Sequence, residues 1–359
     1  MNAERKYETR MNAERASAGR TGLISPARRH HLAALLASAS GLVLPALTAS
    51  GHASAQAAAT RAGPWPQRPV KLVVGFPAGT SPDLNARMLA DPLAQALGVS
   101  VVVENRAGAA GVIGAEAVAK ATDGHTFGII GIAALTIVPH LNPKLPYSPK
   151  DFKPVTVIGS SPMLIVAANS VQFKDATDFF RVARESGSRW NYGSLGVGST
   201  AHLGVELIKA STGIEAQHVP FNGAPAVMAA MVNGDVQFAS LPIGAALAQA
   251  QAGRIRAVAL TSASRSILAS GVPSLPEAGV AALDIEIWNA VMAPANTPKP
   301  VMDKFSRAVQ VIIRSEDSRQ KLFAQGWRAD GTTPEALERR IRDESAMFAA
   351  VIKKRGITI

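Results

Sequence analysis

One succession of elements occurs twice in this chain, and few folds accommodate such a repeat. The run at 70–76 (VKLVVGF) is apolar and rich in β-branched residues, the mark of a buried strand. It ends in Pro77, Ala78, Gly79 and Thr80. Ser81 then reads as the N-cap of a helix, with Pro82 at its first position and Asp83 at the positive end of its dipole. Leu84, Met88, Leu89 and Leu93 follow at helical spacing. A strand at 100–104, a turn at 105–108, a helix at 111–121, an Asp123-Gly124 turn and a strand at 126–130 complete the unit. About 110–120 residues later the order returns. There is a strand at 190–194, a Gly-rich loop at 196–200, a helix at 201–211 and a strand at 216–220. A turn at 221–223, a helix at 225–232, Asn233-Gly234 and a strand at 236–240 follow. The order of elements repeats, while the sequence identity is slight. Alternating strands and helices predict two related α/β domains, each a parallel sheet with helices on both faces.

The tail from Pro294 reads as helices at about 300–313, 317–325 and 334–354. The second unit is complete before them, so the chain is expected to cross back and finish the first domain. The crossovers fall near 155–163 and 284–292. This places domain 1 at 56–163 plus 285–359 and domain 2 at 164–284. A length of 359 residues suits two medium domains.

The first 55 residues form a leader. Arg28-Arg29 precedes an apolar run at 32–47, and Ala53-Ser54-Ala55 stands before Gln56. These are the three parts of a secretory signal, with cleavage expected after Ala55. The run is too short for a membrane span and is broken by Ser38, Ser40, Gly41 and Pro45. The paired arginines fit a twin-arginine or an ordinary export signal equally. A duplicated MNAER at Met1 and Met11 leaves the start codon open. The net charge of +11 falls to +7 without the leader, and its basic residues are scattered. No lysine- and arginine-rich stretch with interleaved aromatics is present, which argues against nucleic-acid binding. With no cysteine there is no disulfide scaffold, thiolate metal site or cysteine nucleophile.

Strand–loop–helix junctions of open α/β sheets gather ligands at the carboxyl ends of strands, where helix N-termini attract anions. Each half has one, at 79–83 and 193–200. Gly79, Gly196 and Gly198 permit close backbone approach. Ser81, Ser194, Ser199 and Thr200 supply hydroxyls. Facing each other, the junctions would make a cleft for a small carboxylate. Helix capping alone also accounts for each loop taken singly.

At these loops the sequence resembles a known family. FPAGTSPDLNAR from Phe76, VVVENRAGAAGVIG from Val101 and LPYSPKDFKPVTVI from Leu145 match it. So do NYGSLGVGSTAHL from Asn191, HVPFNG from His218, VPSLPEAG from Val272 and APANTP from Ala293, all in order. The family is the Bug-type solute-binding receptors of tripartite tricarboxylate transporters, and the likeness runs from Trp65 to Ile359. It implies a two-lobed periplasmic-binding-protein (Venus flytrap) fold and a monomer. It also implies no cofactor, no metal and no catalysis. The receptor would close on a small organic acid and deliver it to membrane permease subunits. Ligand contacts implied by the resemblance are Phe76, Gly79, Thr80, Ser81 and Asp83 in the first domain. In the second they are Ser194, Gly196, Gly198, Ser199 and His202, with Phe221, Asn222 and Gly223 on a turn beside the cleft. Three departures stand out. Thr80 replaces the second glycine of the family's PPGG, Asn222 replaces a lysine, and residues 229–234 replace a DLLGG-like stretch.

Other readings compete. Gly196 to Ala201 also fits a G-x-G-x-x-A dinucleotide pattern, with Glu215 near the distance of a ribose partner. An exported α/β enzyme acting on a small acid could use the same cleft. A nucleophile elbow at Ser194 fails, because Tyr192 stands where glycine is needed. The histidines of the mature chain, His125, His140, His202 and His218, show no metal-binding spacing. His202 either packs locally or lines the cleft. Asp83 either serves the helix dipole and the loop or meets a ligand ammonium. Trp190, Trp288 and Trp327 read as packing anchors. Arg87 and Arg106 read as solvated or paired.

Overall fold

The computed structural model describes residues 64–358; the leader lies outside them. The first lobe opens with β1 (Val70–Val74), α1 (Ser81–Leu97), β2 (Val101–Asn105), α2 (Val112–Ala119) and β3 (Thr126–Gly131). Two short helices follow, α3 (Ile132–Thr136) and α4 (Val138–Leu141), and then β4 (Phe152–Ala167). The second lobe holds α5 (Ala176–Glu185), β5 (Asn191–Ser194), α6 (Thr200–Thr212), β6 (Gln217–Pro220) and α7 (Ala224–Asn233). It continues through β7 (Phe238–Pro242), α8 (Ile243–Gln251) and β8 (Arg256–Leu260). The chain returns through β9 (Glu286–Pro294) to α9 (Lys299–Ile313), α10 (Glu316–Ala324), β10 (Arg328–Ala329) and α11 (Pro334–Arg355).

β4 joins the two lobes. Its first half pairs with β9 and its second half with β7 and β8. The first sheet runs β2-β1-β3-β9-β4, with β10 beside β4; the second runs from β4 through β7 and β5 to β6. All but two of the sixteen residues of β4 are buried, including the polar Thr156, Ser160 and Ser161, because the strand is covered by both lobes. Within each lobe the repeated strands are parallel: β1 lies between β2 and β3, and β5 between β6 and β7. The sheets as wholes are mixed, not parallel as the alternation of strands and helices predicts. β4 leaves the first lobe and β9 returns to it, so the two run antiparallel to each other. β9 is likewise antiparallel to β3, and β4 to β7.

Three hydrophobic clusters hold these layers. In the first lobe Ala86, Leu89, Leu93 and Leu97 of α1 and Val301, Phe305, Val309 and Ile313 of α9 pack together on one face of the sheet. On the other side Leu337, Phe348, Val351 and Ile352 of α11 pack with Leu135, Ile137 and Trp288. The second lobe closes around Phe179, Tyr192, Val205, Ile208 and Phe238. Trp288 and Trp327 are buried, and Trp190 packs on the second core, so all three tryptophans act as anchors.

The first loop is seated by contacts that only glycine permits. A Cβ on Gly114 would lie 2.4 Å from Gly75 Cα, and one on Gly75 would lie 2.7 Å from the Gly111 carbonyl oxygen. The end of β1 therefore rests directly on the start of α2. No helix among the described residues is long and apolar enough to cross a membrane.

Candidate functional site

The first loop is organised from below by Asp83. Its side chain is buried, and its carboxylate accepts from Gly79 N–H at 2.8 Å, Arg87 Nε at 2.9 Å and Asn105 Nδ2 at 2.9 Å. Asn105 Nδ2 also donates to the Phe76 carbonyl at 3.0 Å. The Arg87 guanidinium leads these donors in holding the Asp83 carboxyl at about 2. Asp83 is thus committed to the loop, and Arg87 is paired rather than free to draw anions. Arg106 is likewise paired, with Glu104 at 2.7 Å.

Thr80, not Ser81, occupies the N-cap of α1. The helix begins at Ser81 without a side-chain cap; Asp83, in its first turn, reaches back outside the helix to Gly79 N–H and so fixes the loop rather than the helix end. Thr80 Oγ1 donates instead to the Pro77 carbonyl at 2.7 Å. Ser81 Oγ has no partner among the described residues. Gly79 adopts φ +81°, and a Cβ there would meet nothing within 4 Å, so the loop faces open space. The Phe76 ring packs against Gly111, where a Cβ would come within 2.9 Å of it.

The second loop has a different internal support. Ser199 is the N-cap of α6 and accepts from His202 N–H, while its Oγ donates to the Gly196 carbonyl at 2.7 Å. Gly198 N–H donates to His202 Nδ1 at 3.3 Å. Ser194 Oγ accepts from Gly196 N–H at 3.1 Å and lies 2.6 Å from His218 Nε2. The His202 and His218 rings stack with centroids 3.8 Å apart and planes 11° apart, and Tyr192 stacks on His218 at 5.0 Å. Burial holds both imidazoles well below the usual range, at about 4, with each other's proximity adding for His202. Both are therefore neutral near neutral pH.

Beneath the rings, Glu206 accepts from Tyr192 Oη at 2.6 Å, Lys209 Nζ at 2.7 Å and Arg355 Nε at 2.7 Å. Burial alone would raise its carboxyl; the Lys209 and Tyr192 hydrogen bonds outweigh that and lower it. Arg355 belongs to α11, so the support of the second loop reaches a first-lobe helix. The lobes also touch at the loop itself: a Cβ on Gly198 would fall 2.8 Å from Leu141 Cδ1, and Leu203 packs among first-lobe side chains.

Phe221 N–H donates to the Ser194 carbonyl at 3.0 Å, which ties the third turn to the second loop. Its ring packs on the second core, Asn222 is exposed, and Gly223 caps α7 at φ +93°. Each predicted set is thus brought together within its own lobe. Among the described residues no hydrogen bond joins the Gly79 loop to the Gly196 loop.

The N–H groups of Gly79, Gly196, Gly198 and Ser199 are already taken by internal acceptors. Those of Ala78 and Val197, their exposed neighbours, have no acceptor among the described residues. Sequence reasoning named the glycines and passed over these two. The signal lies in the glycines themselves: successive N–H groups around a positive-φ residue form a concavity that suits an anion.

Two competing chemistries can be weighed on this geometry. A serine 2.6 Å from an imidazole is at nucleophile–base distance. Ser194 is fully buried, however, and the same Oγ ties both polar groups of Gly196, so it holds the loop together. The dinucleotide reading fails on direction. Glu215 precedes β6, which runs parallel to β5. It therefore sits at the sheet edge opposite Gly196, out of reach of a ribose bound at that loop. A cavity of about 660 Å³ beside Lys153, Met302 and Glu335 is lined by no residue of either loop.

The comparisons with known proteins fit this architecture. Residues 85–357 match the model of the tripartite tricarboxylate transporter family receptor. Protein BugT of Bordetella pertussis is 32% identical over 303 residues, covering 84% of this chain and 93% of BugT. Among solved structures, R. palustris Rpa4515 with adipate is 33% identical with a TM-score of 0.72, covering 82% of this chain and 99% of that one. MatC from Rhodopseudomonas palustris with bound malate is 28% identical with a TM-score of 0.68, covering 80% and 100%. On the match of three quarters of its length, this two-lobed chain belongs to the tripartite tricarboxylate transporter receptor family.

Proposed function

We propose that the protein is an exported receptor that captures a small organic acid between its lobes and hands it to the permease subunits of a tripartite transporter. The observation that carries this reading is the pair of glycine loops, one per lobe, at the carboxyl ends of β1 and β5. Each leaves an N–H without an acceptor beside a helix N-terminus, a setting that attracts a carboxylate. The adipate and malate in the two solved relatives are dicarboxylates and support the same ligand class. The ligand contacts are the N–H groups of Ala78 and Val197, the Ser81 hydroxyl, and the surface formed by Phe76, Gly79, Thr80, Gly196, Phe221, Asn222 and Gly223. Asp83, Ser194, Gly198, Ser199 and His202 hold that surface in shape. With Thr80 and Asn222 in place of a glycine and a lysine, the site is more crowded and less positive than the family pattern, which sets its choice of acid. The lobes comprise 56–163 plus 285–359 and 164–284, and they close about β4 and β9. The working form is a monomer in the periplasm, released by cleavage after Ala55, without cofactor or catalysis.

A thermal-shift screen of the chain from Gln56 tests this. The panel holds mono-, di- and tricarboxylates, aromatic acids, acidic amino acids and NAD. A ligand that binds only the folded state raises the unfolding midpoint. A rise with one carboxylate class and none with NAD is the expected result. A rise with NAD alone would replace the receptor with an enzyme.

A further inference from the structure

Behind the second loop lies a cavity of about 450 Å³ between α6 of the second lobe and the end of α11 of the first. Its lining includes His202, His218, Lys354, Arg355 and Thr358, and no residue of the Gly79 loop. The charges and donors in it are unevenly matched. Arg355 gives Nε to Glu206 at 2.7 Å, and its Nη1 lies 3.8 Å from the exposed Glu215. Its Nη2 is buried and has no partner. His202, nine-tenths buried, accepts at Nδ1 from Gly198 N–H, so the proton of its neutral ring sits on Nε2. That N–H has no acceptor among the described residues. Lys354 and the Thr358 hydroxyl add two donors at the rim. The carboxylate in the lining, Glu206, is saturated by Tyr192, Lys209 and Arg355.

A buried guanidinium N–H left without an acceptor is costly, and a cavity of donors around it is completed by an acceptor-rich anion. We propose that this cavity is a second binding site, specific for an oxyanion, held by the Arg355 guanidinium, His202 Nε2–H and Lys354. It shares with the carboxylate loop only Val197 and the opposite edge of the His202 ring. An oxyanion there bridges α6 and α11.

Calorimetric titration of the chain from Gln56 with inorganic phosphate, at constant ionic strength kept by chloride near neutral pH, tests the site. Saturable one-to-one binding is expected, weakened by about tenfold or more in Arg355→Gln. Arg355 also pairs with Glu206, so Lys354→Ala on the exposed last turn provides an independent arm, and phosphate affinity falls there too. The His202 Nε2–H resonance shifts on phosphate addition in the wild type. Absence of saturable phosphate binding would overturn the proposal. So would an affinity unchanged in both variants, or a His202 resonance that phosphate does not move.

Discussion

Asp83 shows how one buried carboxylate can organise a glycine loop from beneath. It gathers Gly79 N–H, Arg87 and Asn105, and through Asn105 the Phe76 carbonyl. Asp83→Ala removes the acceptor for all three donors. Arg87 is half exposed and solvates easily, so the cost is about 2 kcal/mol rather than that of a fully buried pair. Urea unfolding measures it, and an unchanged midpoint would assign the loop's order to something else. The stacked histidines set a pH dependence of definite sign. Both pKa values lie near 4 in the folded protein against 6.5 for the free group. Between those values the unfolded chain binds more protons, so stability is full above about 6.5 and falls as the pH drops towards 4. The His202 share is on the order of 3 kcal/mol. Asp83 does not enter this window, because its contribution is lost only below its ordinary 3.8. Glu344 does, with the opposite slope, since burial raises its carboxyl. The decisive quantity is therefore the difference between wild type and His202→Gln: the variant has the flatter profile. Parallel profiles would place the proton uptake elsewhere.

At the scale of elements, local chemistry made most of the fold legible. The runs at 70–76, 100–104 and 126–130 mark β1 to β3 to within two residues, because a buried strand needs little beyond β-branched side chains and a turn. What stayed hidden depends on partners distant in sequence. β8 and the helices α5 and α8 lie outside the repeat that guided the reading, and β10 is a two-residue strand defined only by pairing with β4. The histidine stack was hidden for the same reason. His218 faces Tyr192 across the β5–β6 register, and His202 joins them from α6. Both the β5–β6 register and the ring contacts are tertiary facts. The glycine seat under the first loop belongs to this scale too. Gly114→Ala drives a methyl to 2.4 Å from Gly75 Cα, a clash between two backbones that no rotamer relieves. The expected cost is about 2 kcal/mol, with α2 displaced and carboxylate affinity lowered. Retention of both stability and affinity would mean that the β1–α2 contact does not position the loop.

For the whole molecule, the proposed closure has to bend the chain segments that join the lobes. The strands β4 and β9 cross between lobes side by side, with pairing irregular between Pro154 and Thr156 and between Val157 and Gly159. Where they leave the first sheet stands a network of charges. Glu286 accepts from Arg328 at 3.2 Å and from Arg340 at 3.1 Å, Arg340 donates to Glu344 at 2.7 Å, and Trp288 Nε1 donates to Glu344 at 2.8 Å. Ser160 of β4 joins through Arg328 at 2.8 Å. β4, β9, β10 and α11 are thus bound at one point, which confines bending to β4 beyond Ser160 and to the non-strand chain that enters β9 at Glu286. Arg340→Ala leaves Glu286 short of a partner and Glu344 buried without its counter-ion, at a cost of about 3 kcal/mol in urea unfolding. The closure itself is read by small-angle scattering. Addition of the carboxylate found in the screen contracts the wild-type envelope, and Arg340→Ala, with a looser pivot, starts from a broader distribution and contracts further. Calorimetric binding with an unchanged wild-type envelope would mean that the two loops are already at their working separation, and that the ligand enters a preformed cleft without any swing of the lobes.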